Sequence, residues 1–344
     1  MLSSVSKLAD KAFVMGFFLP ALLGVYVALK LLHCPPWLTA LCTVKAENPF
    51  ENLTYVALAV WVVAVLLLSL NHLAYRAIEG YSPPLAWLPF LKSWHWRRYG
   101  RLEDKRKQLV ADGKDGESGK RWFDTLNTYP RDREDFLPTL FGNAIRAFEV
   151  YPWDVYQVDG VVVWERLGAV IPSSVQQAIT DARSQVDFFV NVILLSFAIS
   201  VGAALKLLLE RAMHIPTLAC NMPLLEATIA GGIVVAVVAY YLSLGPIVAW
   251  GDTVKSAFDC YLPALAAQLG YELPLTGPKR RDFWLDMNTM FIYRKPPPRG
   301  KWKFAAAKGG GDADAHGGGG ADKGSDAGDG GVEGDDDGGE ADGA

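Results

Sequence analysis

Four stretches of the chain run for about 20 residues almost without charge, at 13–32, 55–73, 188–209 and 227–250. An α-helix rises 1.5 Å per residue, so each is long enough to cross the roughly 30 Å of a bilayer's hydrocarbon, and four transmembrane helices are predicted. The first contains Gly16, Pro20 and Gly24 and meets no charge before Lys30. The third is uncharged until Lys206, close enough to an end to snorkel. The fourth carries Gly231, Gly232 and a Gly245-Pro246 pair that should kink or end it. Lys7 and Lys11 precede the first run as they would in a signal peptide, but the run is long and no clean small-residue cleavage site follows. It reads as an uncleaved span.

Between the runs the pattern becomes periodic. Ser174 and Gln177 form a capping box behind Pro172, so a helix should run from about 175 to 209, about 50 Å long. Val175, Ile179, Ala182, Val186 and Phe189 give it an apolar seam. The favoured partner for that seam is a helix at 138–150, with Leu140, Phe141, Ala144, Ile145 and Phe148 on one side; the other is the same seam in a second chain. Residues 155–163 are β-branched around Asp159-Gly160 and predict a short hairpin or a strand, while 111–120 read as an exposed loop. A further amphipathic helix over 254–269 should break or bend at Pro263. At 81–96, prolines and tryptophans precede Arg97-Arg98, a pattern for lying along the inner membrane surface; 280–284 and 291–295 repeat it.

The fold expected is therefore an all-α membrane protein of four transmembrane helices, with a mainly helical cytoplasmic segment between spans two and three and a disordered acidic tail. Its parts are a helical hairpin at 1–73, a surface segment at 74–174, a stalk and two spans at 175–250, an amphipathic region at 251–307, and the tail at 308–344.

Composition supports this: 51% of residues are hydrophobic, 20% are charged and the mean hydropathy is +0.16. The formal charge of −4 misleads, because the tail holds eleven acidic residues against two lysines, a net of −9, leaving +5 on 1–307. Lys and Arg crowd into the segments after spans two and four and are sparse in the other two loops. By the positive-inside rule both termini and the central segment are cytoplasmic, in a bacterial plasma (inner) membrane. Cys34, Cys42 and Cys220 then lie at or beyond the outer surface, where Cys34 and Cys42 either form a disulfide or serve as small apolar residues.

Recognisable chemistry is sparse. Gly119-Lys120 fails as a phosphate loop, since Lys114 stands where its first glycine belongs and Arg121 where Ser or Thr belongs. No cofactor, metal or nucleic acid is expected; the expected partners are the lipid bilayer with its anionic headgroups and a protein partner or second copy. Asp187, Glu226 and Asp252 fall at span ends and read as interface residues. Asn191, Ser196 and Ser200 are candidate intramembrane polar groups for hydrogen bonding between helices, and the small pairs Ala198/Gly202, Ala227/Gly231 and Gly232/Ala236 allow close approach.

Residues 139–143 (TLFGN), Ile145-Arg146-Ala147, Glu149, Tyr156, Asp159 and Trp164-Glu165-Arg166-Leu167 resemble a segment of an uncharacterised family of bacterial multi-span membrane proteins with no established activity. The similarity covers about 138–190, departs from the pattern at Gln157, where glycine is expected, and at Glu165, where proline is expected, and implies a shared architecture. It selects Asn143, Arg146, Glu149, Asp159, Trp164 and Arg166 as a candidate functional cluster, although salt bridging and packing explain the same residues. No catalytic residue is assigned. The leading expectation is a non-enzymatic scaffold or partner-binding component. The alternatives are a pore or transport component formed by oligomerisation around span three, and a membrane-surface enzyme using the Arg, Asp and Glu of the central segment.

Overall fold

The computed structural model describes residues 10–31, 49–113, 117–213 and 222–305. Among them the chain is all-helical, with one isolated antiparallel bridge between Tyr271 and Phe304. Helix α1 joins Lys11–Phe13, a π-helical turn at Val14–Phe18, and Leu19–Leu31. It is followed by α2 (Pro49–Glu79), α3 (Pro89–Ala111), α4 (Glu117–Leu126), α5 (Leu140–Tyr156), α6 (Gly160–Gly168), α7 (Ser173–Met213), α8 (Met222–Gln268) and α9 (Gly277–Tyr293). The candidate Cys34–Cys42 bridge and the acidic tail lie outside the described residues.

Four helices are long and apolar enough to cross a membrane, over Lys11–Leu29, Leu53–Glu79, Ser173–Leu209 and Pro223–Gln268, which fits a multi-pass membrane protein. Leu22, Leu58, Leu66, Val234, Val237 and Leu242 point outward and exposed from them, far more apolar surface than a water-soluble chain presents. Helices α7 and α8 are antiparallel and pack along their length: Arg211 pairs with Glu226 at one end and Arg183 lies 5.7 Å from the Trp250 ring at the other. Both outrun their apolar stretches. At 41 and 47 residues they reach roughly 60 and 70 Å.

At the end where α7 begins and α8 finishes, α5, α6 and α9 pack on them to form a cap. One hydrophobic cluster runs without a break from Val190 and Ile247 in the apolar runs, through Val254 and Phe258, to Phe283 and Trp284 of α9.

Several sequence expectations change here. The stretch at 155–163 is neither hairpin nor strand. Helix α5 ends at Gln157, which takes the left-handed conformation at φ 59°, and Asp159 then caps α6 by accepting from the Val161 and Val162 amides at 3.1 Å each. The Asp-Gly signal thus marks a helix start, because Val163 and Leu167, four apart on α6, are fully buried. The αL backbone at Gln157 is the conformation that makes glycine the expected residue there.

Neither Pro246 nor Pro263 ends α8; each removes one backbone donor, but full burial of Ile247 and near-complete burial of Leu262 and Leu265 hold the helix together. Helix α7 packs mainly against α8, α5 packs against α8 as well, and Ile179 of the seam shares one hydrophobic cluster with Phe148 of α5. Within the expected 111–120 loop, α4 already begins at Glu117. Of the second surface-lying element, the part at 280–284 turns inward, with Phe283 and Trp284 buried in the cap, whereas Ile292 and Tyr293 of the part at 291–295 stay exposed.

A smaller aromatic cluster ties α3 to α4 through Leu102, Leu126, Tyr129 and Phe136, with Trp96 and Tyr99 against it. Trp87, Phe90 and Trp94 project from the other side and stay exposed. His95 is buried at the edge of this cluster, 3.2 Å from the Tyr129 hydroxyl. Burial first, and the Arg98 charge second, lower its pKa from 6.5 to about 4. The unfolded chain therefore binds the extra proton below pH 6.5. Stability from His95 is complete above that pH and falls by up to about 3 kcal/mol as the pH drops toward 4. Acid unfolding in detergent should show this slope in the wild type and lose it in His95→Gln; parallel curves for the two would contradict it.

Candidate functional site

The six cap residues singled out in the sequence do not converge. Asn143 is wholly buried under the α5 N-terminus, where its carboxamide donates to the carbonyls of Leu137 (2.8 Å) and Thr139 (2.7 Å) and accepts from the Leu137 amide (2.8 Å). Arg146 donates through Nε to Asp135 at 2.9 Å and lies 3.5 Å from Glu149. Asp159 is spent as the α6 cap. Trp164 packs its ring on Phe258, and Arg166 lies 4.2 Å from the centre of Phe291 while donating to the Val162 carbonyl.

Only Glu149 and Trp164 share an open wall, in a cavity of about 470 Å³ between α5, α6, α7 and α8 that Arg183 and Trp250 also line. Burial raises the Glu149 carboxyl pKa, Arg146 opposes the rise and Asp135 adds to it. Nearby, Tyr151 and Tyr156 both donate to one oxygen of Asp259, at 2.7 and 2.8 Å. Burial and then that bond push the Tyr156 phenol up to about 12.

The intramembrane polar residues are likewise bound within the bundle. Ser200 donates to the Ser196 carbonyl at 2.9 Å and lies 3.3 Å from that of Ile229 across the α7–α8 contact. Ser196 also borders an apolar cavity of about 520 Å³ between α1, α7 and α8. A Cβ on Gly232 would come within 2.0 Å of Ser200 Oγ and 2.9 Å of the Ser196 carbonyl, whereas one on Gly231 would meet nothing. Gly232→Ala should therefore cost roughly 1–3 kcal/mol and Gly231→Ala essentially nothing, read as detergent unfolding midpoints. Equal midpoints for the two variants would refute the close packing at Gly232.

A buried polar cluster lies elsewhere, where α1, α2 and α7 meet. Asp187, at a span end, is 6% exposed, whereas Glu226 and Asp252 are exposed and pair with Arg211 and with the largely buried Lys255. Its Oδ1 accepts from Tyr75 at 2.8 Å and from Asn71 Nδ2 at 3.1 Å. Its Oδ2 faces Arg183 Nε at 3.9 Å, and the Arg183 side chain is 54% exposed. One turn further along α7, Asn191 is wholly buried and donates to the Gly16 carbonyl at 2.8 Å, inside the π-helical turn of α1. Gly16 is held against Asp187: a Cβ there would stand 3.1 Å from the Asp187 Cβ. A π-turn loosens the backbone ladder, and such turns concentrate at functional sites.

The signal for this cluster was present as spacing. Arg183, Asp187 and Asn191 recur every four residues on α7, as Asn71 and Tyr75 do on α2, so each set shares one helix face. Looking only for charges at mid-span passes over them. Comparison with protein-family models, curated proteins and solved structures finds no match.

Proposed function

We propose that this chain is a non-enzymatic multi-pass membrane protein that holds a helical cytoplasmic cap rigidly against the inner membrane and presents it to a protein partner. The observation that carries this reading is the unbroken hydrophobic cluster from Val190 and Ile247 to Phe283 and Trp284, which makes cap and spans one packed body. The roles of Asn143, Arg146, Asp159 and Arg166 in helix capping, ion pairing and packing account for these residues without a reaction.

In this reading both termini are cytoplasmic in a bacterial plasma membrane, and the exposed Trp87, Phe90 and Trp94 rest among anionic headgroups beside Lys92, Arg97 and Arg98. Exposed cap positions such as Val161 and Leu275 face the partner. Photo-crosslinking residues placed there in native membranes should give a discrete protein adduct, and Leu66 or Val237 should give none. Adducts from none of the cap positions, or a reporter fused at Lys303 found outside the cell, would overturn the reading.

A further inference from the structure

We propose that the α1–α2–α7 cluster is a binding site for a single sodium-class cation, with Asp187, Asn71, Asn191 and the Gly16 carbonyl as its oxygen donors. This goes beyond the scaffold reading and does not depend on it.

The inference starts from oxygens without donors. Among the described residues nothing donates to Asn71 Oδ1 or to Asn191 Oδ1, although both are closed to solvent and their residues are 8% and 0% exposed. An unpartnered buried amide oxygen costs roughly 1–3 kcal/mol, so each of the two asks for a partner. The amide orientations are fixed by the other ends of the groups, since Asn71 Nδ2 donates to Asp187 and Asn191 Nδ2 to Gly16. Helices α2 and α7 run in opposite directions, so Asn71, one turn before Tyr75, and Asn191, one turn after Asp187, are displaced toward the same side of the carboxylate. Asp187 Oδ2 receives no hydrogen bond, with Arg183 only at 3.9 Å.

The donor set defines the ligand. One carboxylate, two carboxamide oxygens and a backbone carbonyl with a spare lone pair are hard oxygen ligands carrying a single negative charge. A divalent ion in so dry a setting needs more carboxylates, and among the described residues no group of three His, Cys, Asp or Glu side chains gathers. Both amide oxygens are closed to solvent, so an ion bound there sheds its water, and the smaller sodium asks less space of the packed side chains than potassium. Irregular helix backbone lining a buried site is a recurrent way of coordinating such an ion within a membrane, and the Val14–Phe18 π-turn supplies it.

The test uses the full-length protein in detergent at constant ionic strength, with choline chloride as balance. The unfolding temperature should rise saturably with sodium chloride, less with potassium chloride and not at all with choline. Asp187→Asn and Asn191→Ala should each weaken the apparent sodium affinity at least about tenfold. Identical unfolding in the three salts overturns the proposal, as does a wild-type sodium response in the folded variants. If Asp187→Asn fails to fold, the wild-type salt series and Asn191→Ala decide the matter. A sodium-23 line width broadened by wild type and not by Asn191→Ala would support the site directly; equal line widths would count against it.

Discussion

Gly142→Ala should lower the unfolding midpoint by about 10 °C, equivalent to roughly 3–5 kcal/mol, while Gly168→Ala leaves it unchanged or slightly raised. The difference lies in what each new methyl group meets. At Gly142 it would stand 2.4 Å from the Glu79 carbonyl oxygen and 3.0 Å from both Leu137 Cδ1 and Thr139 Oγ1; at Gly168 nothing lies within 4 Å. The Glu79 oxygen belongs to backbone and has no rotamer by which to retreat, so the first turn of α5 must lift away from the end of α2.

That movement would cost more than a contact. Three free amides at the start of α5 are satisfied by two acceptors: Thr139 Oγ1 accepts from Gly142 at 2.9 Å, and the Tyr240 hydroxyl on α8 accepts from Leu140 at 3.0 Å and Phe141 at 3.3 Å. Thr139 also donates to Glu79 at 3.0 Å. Lifting α5 breaks the joint among α2, α5 and α8 together. Similar midpoints for Gly142→Ala and Gly168→Ala would show that the cap is not seated on α2 as described.

The lengths of the apolar runs were enough to identify the four long helices, because lipid imposes both a length and an absence of charge. Local chemistry was less decisive wherever tertiary packing outweighed it. The Asp159-Gly160 pair carries equal local weight as a hairpin turn and as a helix start, and burial of Val163 and Leu167 selects the second. Pro246 and Pro263 are breakers by propensity yet lie inside α8, since the packing of the residues around them outweighs one lost hydrogen bond each. Phe283 and Trp284 followed two arginines and so matched the pattern of a membrane-surface belt, but the neighbours that bury them come from elements distant in the chain. The cluster around Asp187 shows the same limit: its side chains come from two helices more than a hundred residues apart, and only their four-residue spacing is visible locally.

Asp187 gives the second large effect. Asp187→Leu should destabilise the protein by roughly 2–6 kcal/mol in sodium-free choline buffer, while Asp187→Asn remains within about 1.5 kcal/mol of wild type. Leucine fills the space but leaves the Tyr75 hydroxyl and the Asn71 amide buried with no acceptor, at about 1–3 kcal/mol each. Asparagine keeps an acceptor oxygen for both donors and gives up only the charge, whose pairing with Arg183 is long and half exposed to solvent. The contrast between the two variants separates what the carboxylate does as a hydrogen-bond acceptor from what it does as an anion. Equal and severe losses in both would mean that the negative charge itself holds α2 to α7. A mild loss in Asp187→Asn, joined to the disappearance of the sodium response, would assign folding to the hydrogen bonds and cation binding to the charge, so that ion occupancy could adjust the contact of α1 with α2 and α7 without being needed to form it.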